Sequence, residues 1–220
     1  MAPTRLVLVR HGESAAQAGG YFAGHDACAG LSDRGRAQAQ ALATRLQEGE
    51  LGAVGALYAS EMARAVETAS IIGPALGQAE PRIDCGVCEL HPGDADGLTW
   101  DEIEARWPTR HGTGWDPDRQ RIANAESWVT MRERVATSLD HIADEHRGET
   151  VVIACHGGVV AHAMMHHLAI APDAEVAWFV ATNTSMTEFV LDDSLSDWRQ
   201  GRWGVARFND SAHLTGPLAG

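Results

Sequence analysis

Three short, mostly apolar runs mark the chain, at residues 4–9, 56–59 and 150–155. Apolar runs that do not alternate with polar positions are typical of strands buried on both faces of a sheet. A histidine followed by glycine stands just beyond the first run and again beyond the third, at His11 and His156. The carboxyl ends of parallel strands lie at one edge of a sheet, where ligands bind in such folds. The pattern therefore predicts that the two histidines share one pocket.

Segments with helical spacing of apolar residues alternate with these strands. Ser32 and Ser60 stand where helix N-caps are expected, and the second helix is predicted to reach Ile72. The remaining predicted elements are helices at 100–107, 127–146 and 159–168, and short strands at 81–84, 186–191 and 203–208. Strands that alternate with helices predict an α/β fold, with a mostly parallel central sheet covered on both faces.

No repeat, low-complexity tract or linker divides the 220 residues, so we expect a single domain over 1–220. Residues 13–31 and 85–125 lack regular periodicity and are predicted to be loops that cover the pocket. An exposed edge strand of the sheet could support a homodimer.

The chain carries a formal net charge of -13, with an isoelectric point near 5.2. Nucleic acids and anionic membrane surfaces attract basic proteins, so we expect neither as a partner. All 17 basic residues are arginine, which excludes lysine chemistry such as Schiff bases and Walker-type phosphate loops. The chain starts directly with a predicted strand and has no long apolar run, so we expect a cytoplasmic protein.

Arginines near the two predicted strand ends indicate an anion site. Arg10 precedes His11 directly, and Arg64 falls on the first turn of the helix after Ser60. A fixed guanidinium beside a neutral imidazole can bind a phosphoryl group and attack it. The arginines should also lower the pKa of His11 and keep it nucleophilic. The pattern favours a small phosphate ester as the ligand.

Four cysteines are present, and Cys85 and Cys88 form a lone Cys-x-x-Cys pair. Without a second pair we expect buried, small apolar side chains rather than a zinc site. Redox control through the pair stays open as an alternative. His162 and His166 have the spacing of two metal ligands on one helix, but the glutamate of the usual metalloprotease motif is missing between them. We therefore predict no metal and no cofactor.

An ordered set of motifs spans nearly the whole chain. Its members are Arg10-His11-Gly12-Glu13-Ser14, Leu31-Ser32 with Gly35 and Gln38-Ala39, Ser60 with Arg64-Ala65 and Thr68, Glu89, Gly97-Leu98-Thr99, His156-Gly157-Gly158, Asn183-Thr184-Ser185 and the tail Asn209-Asp210-Ser211-Ala212-His213-Leu214. With these residues the chain resembles the histidine phosphatase superfamily, also called phosphoglycerate-mutase-like.

The resemblance implies a three-layer α/β/α fold and a two-step, metal-independent phosphatase reaction. It implies that His11 attacks phosphorus and becomes phosphohistidine, and that Glu89 protonates the leaving alcohol and then deprotonates the attacking water. It also implies that Arg10, Arg64 and His156 bind the phosphoryl oxygens. The neighbouring residues Gly12, Ser14 and Gly157 are predicted to bind phosphate as well.

Several alternatives remain at this point. Asp94 or Asp96 could replace Glu89 as the proton donor, because both lie in the same predicted loop. A phosphoglycerate-type mutase is the second candidate activity, although the two added acids and the lack of lysine suit capture of a substrate carboxylate poorly. A catalytically weak, phosphate-binding regulatory module is the third. Gln17 stands where some family members carry asparagine, and we assign it no role.

Overall fold

A six-stranded sheet forms the centre of the computed structural model, which describes residues 2–108, 118–171, 179–192 and 203–219. The strands lie in the order β3-β2-β4-β1-β5-β6. Their bounds are Thr4–Arg10 (β1), Ala56–Ala59 (β2), Arg82–Ile83 (β3), Thr150–Cys155 (β4), Met186–Leu191 (β5) and Trp203–Asp210 (β6).

Six α-helices occur in the described residues. Their bounds are Ala15–Gly19 (α1), Asp33–Leu46 (α2), Ala63–Ile72 (α3), Trp100–Arg106 (α4), Trp128–Glu145 (α5) and Gly157–His167 (α6). Single 3-10 turns cover Gly73–Leu76, Cys85–Val87, Gly93–Ala95 and Gly216–Leu218. The predicted strands and long helices are thus all present, with ends shifted by a few residues.

The sheet is mostly parallel, as predicted. β1, β2, β3 and β4 pair in parallel, and the register sets Leu6 of β1 beside Val151 of β4. β5 runs antiparallel to β1 and pairs antiparallel with β6 at the edge. His11 and His156 follow the two adjacent parallel strands β1 and β4, so both histidines reach the same edge of the sheet.

The three-layer arrangement follows from the alternation of side chains along β1. Leu6 and Leu8 belong to a core cluster with Met131 and Leu139 of α5, together with residues of α6. Val7 and Val9 belong to a second cluster with residues of α2 and α3 on the opposite face. Successive side chains of a strand point to opposite faces, so one buried strand supports both helical layers.

Two local expectations were wrong. Ser60 does not cap α3, because the helix begins at Ala63, its N-cap is Met62 and no side chain caps it. Residues 13–31 are not loop throughout, because α1 begins after Ser14. The Ser14 hydroxyl accepts a hydrogen bond from the Gln17 backbone, and the Gln17 side chain accepts one from the Ser14 backbone. This capping box stabilises a helix too short for apolar periodicity to reveal.

The two predicted covering loops contact each other directly. Tyr21 and Thr99 form an isolated β-bridge. The backbone of Phe22 donates to the carbonyl of Leu98 at 2.8 Å and accepts a hydrogen bond from Gly97 at 2.8 Å. Residues 109–117 of the second loop lie outside the described residues. The described parts form one paired unit rather than two independent loops.

Among the described residues, no helix combines the length and the hydropathy that a membrane crossing requires. The edges of the sheet are β3 and β6. The single domain and the homodimer both stay predictions.

A charged network joins the end of α2 to the end of β6 and supplies a test of stability. Arg45 donates two hydrogen bonds to the Asp210 carboxylate, at 2.9 and 2.7 Å. These hydrogen bonds lower the pKa of Asp210 to about 2. We expect Asp210→Asn to reduce the free energy of unfolding by about 1 kcal/mol at neutral pH, because the bidentate ion pair is lost.

The pH dependence of this difference has a defined sign. An unfolded aspartate ionises near about pH 3.9. The advantage of the wild type should be fully present above that pH and should shrink as the pH falls toward about 2. Urea denaturation of both proteins at about pH 7 and about pH 3 measures it. An equal difference at the two pH values would contradict the ion-pair origin.

Candidate active site

His11 follows β1 directly and is held in one tautomer. Its Nδ1 lies 2.6 Å from the carbonyl oxygen of Gly12, which can only accept, so Nδ1 carries the proton. The lone pair is therefore on Nε2. Arg64 donates to Nε2 from its Nε at 3.2 Å. Both side chains are buried, with 4% and 5% of their surface exposed, so the contact is shielded from water.

The surroundings keep His11 neutral. Burial is the largest cause that lowers its pKa well below the usual 6.5, followed by the charges of Arg64 and Arg10. The expected effect of the arginines is thus confirmed, although burial contributes more. His156 is fully buried and its pKa is lowered for the same reason, with Arg64 as the next cause.

His156 and Arg10 complete the floor of the site. The rings of His11 and His156 are 5.1 Å apart in a T-shaped arrangement. His156 Nε2 lies 2.8 Å from the Ser60 hydroxyl, and Arg10 donates to the carbonyl of Ala181. Arg10 Nε and His156 Nδ1 are buried and have no hydrogen-bond partner among the described residues. Buried polar groups are rarely left unpaired, so these two nitrogens are candidate contacts for a ligand.

The three smaller predicted positions have different surroundings. The Gly12 N–H donates to the Thr68 hydroxyl at 3.1 Å. A Cβ at Gly12 would lie 2.4 Å from the carbonyl oxygen of Gly35, so glycine permits a close backbone approach here. Ser14 lines the cavity around His11. Gly157 lies beside Arg10, whose Nε would be 3.6 Å from an added Cβ.

Glu89 is the carboxylate that faces the site. Its Oε2 accepts a hydrogen bond from the Gly158 backbone at 3.0 Å, and its Oε1 accepts one from Leu90 at 3.1 Å. Asp94 instead accepts a hydrogen bond from Asn124 at 2.8 Å. Asp96 accepts one from the backbone of Gly24 at 2.7 Å, within the paired loops. The geometry therefore favours Glu89 over the two aspartates as the proton donor.

Two adjoining cavities open above these groups. The first, of about 440 Å³, is lined by Arg10, His11, Ser14, Ala16, Gln17, Gly20, Tyr21, Phe22, Ala23, Arg64, Glu89 and Trp100. The second, of about 390 Å³, is lined by Arg10, Phe22, Glu89, Leu90, Trp100, Trp128, Gly157, Gly158, Ala161, Phe179, Val180 and Ala181. Arg10, Phe22, Glu89 and Trp100 lie between them and belong to both.

Sequence reasoning placed residues 13–31 and 85–125 over the pocket but did not identify which of their side chains line it. Tyr21, Phe22 and Trp100 reach the site only because the two loops pair, and Phe22 packs against Trp100 with ring centres 5.3 Å apart. No periodic signal marks such loop contacts. The capping motif at Ser14 and Gln17 could have indicated α1 and with it one wall of the cavity.

The cysteine pair has partners that the sequence did not reveal. The side chains of His25, Cys85, Cys88 and His91 bring one metal-ligating atom each to within 4.8 Å of one another. The expectation of a lone, structural Cys-x-x-Cys pair is therefore incomplete. His162 and His166 do not meet as ligands, because His162 packs on Trp128 and His166 pairs with Asp140.

The fold and the site define a three-layer α/β/α protein that presents a neutral, buried histidine and two arginines to a cavity of about 440 Å³. The model of the histidine phosphatase superfamily (branch 1) matches residues 6–211 of this chain. The chain therefore belongs to the histidine phosphatase superfamily.

Similar proteins include mutase-like and phosphatase members. The chain is 32% identical to phosphoglycerate mutase-like protein 4 of Arabidopsis thaliana, over 95% of this chain and 86% of that protein. It is 28% identical to a metal-independent phosphoserine phosphatase of the same plant, over 96% and 84% of the two chains. The solved structure of YhfR from Bacillus stearothermophilus superposes with a TM-score of 0.81 at 29% identity, over 96% of this chain and all of the other.

Proposed function

We propose that this protein is a metal-independent phosphatase that hydrolyses a small phosphate monoester through a phosphohistidine on His11. Arg10, Arg64 and His156 hold the phosphoryl oxygens, and Glu89 serves as general acid and then as general base. The observation that carries the proposal is the combination of a lone pair fixed on His11 Nε2 with unpartnered, buried nitrogens on Arg10 and His156.

The first step forms a bond between His11 Nε2 and phosphorus and breaks the bond between phosphorus and the ester oxygen. Negative charge develops on the phosphoryl oxygens and must be stabilised without reorganisation of the site. The guanidinium groups of Arg10 and Arg64 line the cavity beside His11, and the His156 ring contacts the His11 ring. A single charge pair at contact distance is worth about 4 kcal/mol at an intermediate effective dielectric.

Proton transfer in both steps is assigned to Glu89. Its proton passes to the leaving alcohol in the first step, and the carboxylate takes a proton from water in the second. The water oxygen then bonds to phosphorus, the bond to Nε2 breaks, and inorganic phosphate leaves with His11 regenerated. The two backbone hydrogen bonds from Gly158 and Leu90 fix the position of the Glu89 carboxyl group.

The second cavity supports an apolar leaving group rather than a phosphoglycerate. Its described lining includes Phe22, Trp100, Trp128 and Phe179, and its only basic side chain is Arg10. A substrate carboxylate would require a further cation that the described lining does not offer. We therefore propose an uncharged, apolar or aromatic alcohol as the leaving group, and hydrolysis rather than transfer between phosphoglycerate isomers.

Trapping the intermediate tests the proposed reaction. The protein is mixed with an aryl phosphate, with and without EDTA, and quenched in alkali, where phosphohistidine survives. We expect one acid-labile phosphoryl group per active site, mapped to the peptide that contains His11, in both samples. Phenyl and naphthyl phosphate should be hydrolysed with higher kcat/KM than 3-phosphoglycerate.

Two results would overturn the proposal. Transfer between phosphoglycerate isomers that outpaces phosphate release would establish the mutase. A complete failure to form phosphohistidine with aryl, sugar and amino-acid phosphates would favour the phosphate-binding module.

Gly158 supplies a test of the role of Glu89. A Cβ at this position would lie 2.1 Å from Glu89 Oε1, far inside contact distance, so Gly158→Ala must displace the carboxyl group. We expect kcat for an alkyl phosphate to fall by about 10²-fold, within the range for loss of a general acid. The loss should be smaller for para-nitrophenyl phosphate, because nitrophenolate leaves without protonation.

Glu89→Gln is the matched variant for this prediction. It removes the proton donor while leaving Gly158 unchanged, and should show the same dependence on the leaving group. An equal loss of kcat for alkyl and nitrophenyl substrates in both variants would argue against acid catalysis by Glu89.

A further inference from the structure

Four potential metal ligands converge next to the active site, from two segments that are distant in sequence. His25 lies in the first covering loop, whereas Cys85, Cys88 and His91 lie in the second. Both histidines present Nε2. The distance from His25 Nε2 is 3.6 Å to Cys85 Sγ and 3.7 Å to Cys88 Sγ, and His91 Nε2 is 3.6 Å from Cys85 Sγ.

These separations match the edges of a tetrahedral zinc site. Zinc binds thiolate sulfur at about 2.3 Å and imidazole nitrogen at about 2.0–2.1 Å, so the tetrahedral angle separates S from N by about 3.6 Å. The three sulfur–nitrogen distances in this protein are 3.6, 3.6 and 3.7 Å. Two thiolates and two neutral imidazoles also balance the charge of a divalent cation.

The backbone that carries three of the ligands is fixed from outside the cluster. Arg134 of α5 donates to the carbonyl oxygens of Cys85, Gly86 and Cys88 at 2.9, 3.0 and 3.0 Å. It also pairs with Glu126 at 2.6 Å, and Glu126 accepts a hydrogen bond from the His91 backbone at 3.3 Å. Ligands whose backbone is already ordered lose little entropy when they bind a cation.

We propose that His25, Cys85, Cys88 and His91 form a Cys2His2 site for a zinc ion that cross-links the two covering loops. His25 Nε2 also lies 2.6 Å from Glu61, so the ion replaces that hydrogen bond and leaves the Glu61 carboxylate beside the site. The ion touches no reacting atom. Its role is to hold the first loop against the segment that carries Glu89.

A short relay connects this site to the phosphate cavity. The Ser60 hydroxyl lies 3.2 Å from Cys88 Sγ and 2.8 Å from His156 Nε2. Ser60 is completely buried. A thiolate held by zinc at Cys88 therefore accepts a hydrogen bond from the Ser60 hydroxyl, which also contacts His156.

The test measures zinc binding by the reduced, full-length protein after removal of metal. We expect one zinc ion per chain, retained in competition with a chromophoric chelator. Cys85→Ser should weaken zinc binding by more than about 100-fold. Replacement of a residue that only hydrogen-bonds to a metal ligand weakens binding by about 100-fold at most, and loss of a ligand should exceed this. Cys28→Ser removes a thiol outside the cluster and should leave the stoichiometry unchanged.

Cobalt and thermal denaturation provide independent readouts. Cobalt(II) should give thiolate charge-transfer and tetrahedral ligand-field absorption in the wild type, and His25→Ala, at an exposed position, should lose the tetrahedral bands. Zinc should raise the melting temperature of the wild type but not of Cys85→Ser.

Two results would overturn the proposal: substoichiometric zinc in the wild type, or a zinc affinity of Cys85→Ser within about 10-fold of the wild type. Replacement of a residue that coordinates the ion should lower the affinity by more than that. All these measurements are made without substrate, so their outcome is independent of the proposed phosphatase activity.

Discussion

His11→Ala is expected to abolish phosphohistidine formation and to lower kcat for para-nitrophenyl phosphate by about 10⁴-fold or more, as loss of a nucleophile does in enzymes that work through a covalent intermediate. Among the described residues that line the first cavity, His11 is the only histidine, and His156 is fully buried. The measurement is phosphate release in EDTA by the variant and the wild type.

Binding should survive this substitution. Arg10, Arg64 and His156 remain, so calorimetry should show phosphate binding by His11→Ala within about 10-fold of the wild type, the scale of one weak contact. His141→Ala, at an exposed position on α5, is the matched control and should retain wild-type kcat. Measurable phosphohistidine in His11→Ala, or turnover close to that of the wild type, would place the nucleophile elsewhere.

Arg64→Gln is expected to lower kcat by about 10³-fold, the scale at which an arginine stabilises a phosphoryl-transfer transition state. The Arg64 guanidinium is buried, and its Nε lies 3.2 Å from Nε2 of His11, the proposed nucleophile. The substitution removes the positive charge that we propose stabilises the phosphoryl oxygens. It also removes the Nε–H group that donates to His11 Nε2. Arg82→Gln, on the exposed edge strand β3, is the control and should leave kcat unchanged.

The same variant should shift the pH profile in a defined direction. His11 must be neutral to attack, so activity falls as the pH drops through its pKa, which burial and then Arg64 lower well below 6.5. Loss of the Arg64 charge raises that pKa, so the acidic limb of kcat/KM should move to higher pH. Because burial is the larger cause, the limb should stay below about pH 6.5. An unmoved limb would show that Arg64 does not act on His11.

The zinc site and the phosphate site share one structural element. Cys88 and Glu89 are adjacent in sequence, and Cys88 faces His25 while Glu89 faces the cavity. The cation would therefore order Glu89, the proposed proton donor, without taking part in the reaction. Under these two proposals, the cation stabilises the paired loops and takes no part in the chemical step.

The positions of the strand ends were predictable from the sequence, because they depend on the polarity of residues that are neighbours along the chain. A buried strand must be apolar throughout, and the polar residues that follow it are exposed to the cavity at the carboxyl edge. Arg10 and His11 line the first cavity, and β1 and β4 pair in parallel as that reasoning requires. His156 follows β4 but is fully buried. The lowered pKa of His11 was also predictable in direction, although only the structure showed that burial is its main cause.

Contacts between loops were not predictable, because they depend on residues distant in sequence and on no repeating pattern. Ser60 shows the limit within one element, since its position suggested a helix cap whereas its hydroxyl contacts His156, 96 residues away. The lining by Phe22 and Trp100 requires the pairing of two loops.

The sequence by itself thus determined the α/β fold, the acidic and lysine-free character of the chain, and the histidines and arginines that lie together at the carboxyl edge of the sheet. Only the tertiary structure decided which carboxylate faces the cavity, which side chains line the second cavity, and that His25 and His91 join the cysteine pair. The physical reason is that periodicity reports the burial of a residue within its own element. The chemistry of a site depends on distances between elements, which packing alone sets.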